Sequence, residues 1–172
     1  MSKEIKTLQD ALAYELQGMV YGEKKLNHEF HNCRNYVTSA EVRHVIEEYV
    51  DNADNVNLKL ERIFNYLMVE PIARKNEVIN KLIDETQHLL TYTTSPHLKD
   101  ILMIGCIRNV NAYKAASYQT SYLMATELEM DTPADLIQQI LELELNTGKA
   151  LSCLSIHEFN KINDPTHHSV TT

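Results

Sequence analysis

Glu23 and Glu144 are carboxylates at positions where the surrounding pattern calls for apolar side chains. Glu23 falls in the series Leu8, Leu12, Glu15, Met19, Glu23, Leu26, Phe30, Cys33 and Val37. Glu144 falls in the series Ile137, Ile140, Glu144, Thr147, Leu151 and Leu154. Steps of three and four residues put each series on one face of a helix. An acid on such a face needs a partner, because an ionised group taken out of water must meet a cation or take up a proton. Two chemistries follow. Several inward carboxylates and histidines from four helices hold a pair of divalent ions, the basis of ferritin-like oxidase sites. A buried ammonium gives instead an ion pair with no redox chemistry. Lys114 is the candidate ammonium, on the series Ile104, Ile107, Asn111, Lys114 and Tyr118. Two placements stay open for it: an internal pair with Glu23 or Glu144, or a stem that snorkels outward and leaves the glutamates at the bundle edge.

The rest of the ligand inventory is thin. Glu15 shares the stripe of Glu23 but stands roughly 12 Å from it along a helix axis, too far to complete the same shell. With Asn111 or Tyr49 nearby, Glu23 and Glu144 leave room for a residual single-ion site holding iron or manganese. A second gathering lies near the turn around Thr38. His28 and His31 are one turn apart, and Glu41-x-x-His44 has the spacing of a ferritin-type metal motif. An antiparallel hairpin there would bring His31 toward His44, so a surface zinc site is geometrically open. The favoured reading is a solvated polar face, since Glu41 and His44 open a helix away from the bundle centre. Gly18, Gly22, Gly105 and Gly148 are isolated within helical pattern and make no phosphate loop. Cys33, Cys106 and Cys153 are scattered and read as reduced thiols packed as small apolar groups. Tyr113, Tyr118 and Tyr122 have the spacing of amphipathic packing or interface residues.

These side chains must be positioned by helices. The chain has 172 residues, 44% of them hydrophobic, with only four Gly and four Pro, which favours long uninterrupted helices over a sandwich or barrel. After the first helix, Thr38 with Glu41 reads as a capping box opening a second. Its heptad stripe is Val42, Ile46, Tyr49, Ala53, Val56, Leu60, Ile63 and Leu67, ending before Pro71. A shorter amphipathic stretch from Asn76 to Leu90 fits a crossing helix. Ser95-Pro96 is an N-cap followed by proline, opening a third long helix that runs through Met130. Asp131, Thr132 and Pro133 start the fourth. The expected fold is an all-α, ferritin-like four-helix bundle, up-down-crossover-down-up, with the short crossing helix between the second and third long helices. One domain spans residues 1–163, and residues 164–172, which lack periodicity, form a frayed tail.

Charge and hydropathy exclude several function classes. A net charge of −8 with no Lys/Arg cluster speaks against nucleic acid. The longest purely apolar run, Ile101 to Ile104, is too short to span a bilayer. No targeting pattern is evident at the N-terminus, so a soluble cytoplasmic protein is expected.

The run TLQDALAYELQGMVYGEKKL, Thr7 to Leu26, resembles the first helix of the YciF-like ferritin-like proteins, a bacterial group named for stress-associated proteins. The run SPHLKDILMIGCIRNVNAYKAASYQT, Ser95 to Thr120, is similar to that family's third helix. The stretches Leu60 to Phe64 and Lys81 to Glu85 match its second helix and crossing segment, and the resemblance extends to about Ile156. The departures are informative. The resemblance implies an inward His, Thr and Gln on the second helix, where this chain has Tyr49, Ala53 and Val56. It implies Glu-His-Tyr-Glu on the third, here Asn111-Ala112-Tyr113-Lys114, and Glu-Glu-Lys on the fourth, here Leu143-Glu144-Leu145. A histidine and at least two carboxylates of the implied metal site are missing.

The resulting expectation is a non-catalytic, structural or stress-associated bundle with a degraded two-metal site. It has no cofactor and no metal, and Lys114, Glu23 and Glu144 form a core ion pair. The chain is expected to form a homodimer or larger assembly, with an unidentified protein partner. Two other readings stay open: a metal-dependent oxidoreductase or iron-handling protein using iron or manganese at the residual carboxylates, and an acidic helical protein-interaction module.

Overall fold

A computed structural model describes residues 4–162. The expected tail at 164–172 lies outside the described residues. The described residues form five α-helices: α1 (Leu8–Cys33), α2 (Ala40–Leu67), α3 (Glu77–Tyr92), α4 (Pro96–Glu127) and α5 (Asp131–Ile162).

Local chemistry sets the helix starts. The Thr7 hydroxyl accepts from Asp10 N–H while the Asp10 carboxylate accepts from Thr7 N–H, a reciprocal cap that opens α1. Asn76 caps α3 and Ser95 caps α4, with Pro96 at its first position as the sequence implies. The expected Thr38–Glu41 box is not formed. Thr38 is drawn away because its N–H and hydroxyl both donate to Asp100, at 2.8 and 2.7 Å, and Ser39 caps α2 instead. Two helices end earlier than their periodicity suggests. α1 stops at Cys33 and tightens into a 3-10 turn over Arg34–Tyr36, so that Val37 reaches the core from outside the helix. α4 stops at Glu127, and the link to α5 uses Glu129 at φ 54°.

The hydrogen bonds fix the topology. Gln9 at the start of α1 donates to the carbonyl of Leu67 at the end of α2, so these helices are antiparallel. At the opposite end, Thr38 and Ser39 just before α2 meet Asp100 near the start of α4 and Glu158 near the end of α5. The order is therefore up-down, crossover, down-up. α3 forms the crossover, lying on α4 and α1. Gly22 on α1 faces α3, where a β-carbon would press on the Ile79 Cδ1 methyl.

The core follows the stripes. Every member of the α2 heptad series from Val42 to Leu67 is buried. On α1, Glu15 and Leu8 sit at the margin while Leu16 and Val20 join the core. Cys33 and Cys106 are buried, and burial pushes both thiols up to about 11, so they remain protonated. Cys153 is exposed, contrary to the expectation that all three thiols are packed inside. No described helix is long and apolar enough to cross a membrane.

Candidate functional site

Halfway along the bundle all four long helices contribute polar side chains to one buried cluster. Glu23 comes from α1, Tyr49 from α2, Asn111, Lys114 and Tyr118 from α4, and Glu144 from α5. On α4 the spacing of Asn111, Lys114 and Tyr118, three and then four residues, stacks these side chains on one face.

Lys114 Nζ lies 2.9 Å from Glu23 Oε2 and 2.7 Å from Glu144 Oε1. Its ammonium also stands 4.7 Å from the centroid of the Tyr49 ring. The two remaining carboxylate oxygens are occupied as well. Tyr118 OH donates to Glu23 Oε1 at 2.8 Å, and Asn111 Nδ2 donates to Glu144 Oε2 at 2.7 Å and to the Glu144 carbonyl at 2.9 Å. Every carboxylate oxygen of the cluster thus accepts from a donor. Asn111 reaches this position because Gly148 on α5 leaves space; a β-carbon there would fall 2.8 Å from Asn111 Oδ1. The Tyr49 hydroxyl is buried without a hydrogen-bond partner.

Burial would by itself pull the Lys114 ammonium down, but the negative charges of Glu144 and Glu23 outweigh it and hold the group well above its ordinary value. Lys114 is therefore charged throughout the physiological range. Glu23 is displaced upward by its complete burial, only partly opposed by Lys114, with the charge of Glu144 adding to the rise. Burial also raises both Tyr49 and Tyr118 well above the ordinary phenol value, so both are neutral, and Tyr118 donates to Glu23. Chemically the cluster is a saturated carboxylate–ammonium–carboxylate bridge that ties α1, α4 and α5 together.

The surface candidates are not brought into one group. His28 approaches Asn32 on its own helix at 3.5 Å, His31 is exposed, and His44 pairs with Glu48 at 3.7 Å. Glu41 turns to α5, where it meets His157 at 3.2 Å and Lys161 at 2.9 Å. This region holds the residues that sequence reasoning passed over. Asp100 is buried and accepts from Thr38 and Ser39, and Glu158 is buried and accepts from Ser39 Oγ at 2.9 Å and Lys161 at 2.6 Å. Both were within reach of the pattern. Asp100 extends the series Ile104, Ile107, Asn111 by one step, and Glu158 extends Leu151 and Ser155 by another.

Comparison with known proteins gives a family and a fold. A family profile described as a domain of unknown function, DUF892, matches residues 7–161. Among solved structures, the Escherichia coli stress protein YciF superposes with a TM-score of 0.87 at 21% identity, covering 91% of this chain and 99% of that one. YcfI from Rhodopseudomonas palustris superposes with a TM-score of 0.85 at 20% identity, covering 88% and 97%. A protein from Xanthomonas campestris pv. campestris gives a TM-score of 0.70 at 15% identity, covering 92% and 100%. No curated protein matches the sequence significantly. The resemblance to YciF-like proteins and the ferritin-like bundle expected from the sequence are both borne out.

Proposed function

The chain belongs to the DUF892 family, and for this member we propose a non-catalytic, structural role in a stress-associated setting, with the ammonium of Lys114 neutralising the carboxylates that would otherwise call for metal. One observation carries the reading: Lys114 Nζ sits between Glu144 and Glu23 at 2.7 and 2.9 Å, with all three side chains buried. A pair of divalent ions needs several carboxylates and histidines with free lone pairs facing inward. The donor set here does not fit. It offers two carboxylates whose four oxygens already accept hydrogen bonds, a neutral amide, two neutral phenols and a cation that would repel metal. No step of oxygen or electron chemistry is therefore assigned to the bundle centre.

Self-association belongs to the same reading. Leu145, Ile156 and Phe159 are large exposed apolar residues on α5, the first two about three turns apart and so on one face. Light scattering on the purified chain should return a homodimer or larger species.

Metal analysis tests the functional claim. Protein purified from iron-supplemented culture should be folded, helical by circular dichroism, and without iron or manganese bound at Glu23 and Glu144. Two equivalents of either metal per chain, lost on Glu23→Gln, would return the assignment to an iron-handling or oxidoreductase protein.

A further inference from the structure

At the end of the bundle where α2 begins and α5 ends, Glu41, His157 and Glu158 place one ligand atom each within 4.8 Å of the others. We propose that these three residues form a binding site for a divalent transition ion with zinc's preference for imidazole and carboxylate. This goes beyond the structural reading of the bundle centre and stands independently of it.

Geometry supports the site first. Tetrahedral ligands bound at about 2.0–2.1 Å from zinc stand about 3.3 Å from one another. Glu41 Oε2 and His157 Nδ1 are 3.2 Å apart, and an oxygen of Glu158 lies within 4.8 Å of both residues' ligand atoms. The second observation is a deficit. Glu158 has a side chain only 1% exposed, yet its Oε2 has no hydrogen-bond partner. A buried carboxylate oxygen is costly to leave unmatched, and a cation beside it removes that cost. Charge is the third consideration. Glu41 and Glu158 share one lysine, Lys161, which contacts Glu41 Oε2 at 2.9 Å and Glu158 Oε1 at 2.6 Å. A divalent ion would balance both carboxylates.

Lys161 is the built-in competitor. Its side chain is 30% exposed and sits near the end of α5, so its ammonium can swing into water when a metal enters. The three ligands come from the first turn of α2 and the last turns of α5, so an ion there would clamp these two helices at one end.

Zinc titration of the full-length chain by calorimetry, using zinc chloride as the only added ligand, tests the proposal. One zinc ion per chain is expected, with affinity falling about tenfold or more in His157→Ala and in Glu41→Gln. Both residues are exposed, and unchanged helical circular dichroism would show that the variants fold. Lys161→Gln should bind more tightly than the parent because the competing charge is gone. The combined variant His28→Gln/His31→Gln/His44→Gln should bind as the parent does. Affinity unchanged in His157→Ala, weaker in Lys161→Gln, lost with the three-histidine variant, or no tighter than millimolar in the parent would overturn the site.

Discussion

Two carboxylate clusters, one at the middle of the bundle and one at its end, each hold two glutamates around a lysine, and they differ in closure. At the middle, Glu23, Glu144 and Lys114 are all buried, and each carboxylate oxygen has a donor. At the end, Glu158 is buried but Glu41 and Lys161 reach solvent, and Glu158 Oε2 is unmatched. The contrast separates a permanent cation from an exchangeable one. Lys114 cannot leave without stranding two charges in a medium of low dielectric, whereas Lys161, partly exposed, can return to water and leave Glu158 with Ser39 Oγ as its donor.

The sharpest way to break the comparison is to remove each lysine. Lys114→Met should destabilise the fold by about 3–5 kcal/mol in urea unfolding at neutral pH, because it leaves two buried carboxylates uncompensated. Adding Glu23→Gln and Glu144→Gln should recover most of that loss. A loss below about 1 kcal/mol would mean that the middle cluster is hydrated rather than dry.

Asp100 tests whether the end region is rigid where it is buried. Asp100→Ala removes the acceptor of Thr38 N–H, Thr38 Oγ and Ser39 N–H, and should cost about 2–3 kcal/mol in the same assay. Asp100→Asn keeps one carbonyl acceptor and should cost less.

A smaller effect concerns pH. Burial holds the Glu23 carboxyl above its ordinary 4.5 in the folded state. A group whose folded value is raised contributes stability that is complete below the unfolded value and is lost as pH rises through the folded one. Glu23→Gln removes this titration. Its cost, relative to the parent, should be greatest below pH 4.5 and should shrink as pH rises above it, as followed by melting temperature. A cost that grows with pH would show that Lys114, rather than burial, governs Glu23. For Lys114, raised well above 10.5, the same rule places its loss of stabilisation on the alkaline side of that value.

The smallest expected effect is that of Lys161→Gln without metal, about 1 kcal/mol in urea unfolding, since its pair with Glu41 is exposed and the buried Glu158 keeps Ser39 Oγ as a donor. A loss as large as that of Lys114→Met would erase the distinction between the two clusters.

Much of this arrangement was legible in the sequence because helical periodicity survives wherever one face is buried. The α2 heptads from Val42 to Leu67, the crossing helix and the Ser95-Pro96 start all follow from spacing and cap chemistry. The inward placement of Lys114 was not decided by spacing. A lysine on the margin of a stripe has a stem long enough to point either way, and only its neighbours on α1 and α5 settle the direction. The Thr38 cap failed for a similar reason. Its local rule was sound, but Asp100, 62 residues away, offered Thr38 a better acceptor and Ser39 took over the cap. The end cluster was hidden because it joins the first turns of α2 and α4 to the last turns of α5, a juxtaposition that exists only once the crossover has fixed the topology. Glu41 and His44, three apart in sequence, part company because Glu41 faces α5 while His44 faces along its own helix toward Glu48.

The most direct measurement is anomalous X-ray scattering at the iron and manganese edges from crystals of protein produced in iron-supplemented culture. The account predicts no anomalous peak between Glu23 and Glu144, with Lys114 Nζ bridging both carboxylates. A pair of peaks there, with the Lys114 side chain displaced, would contradict it.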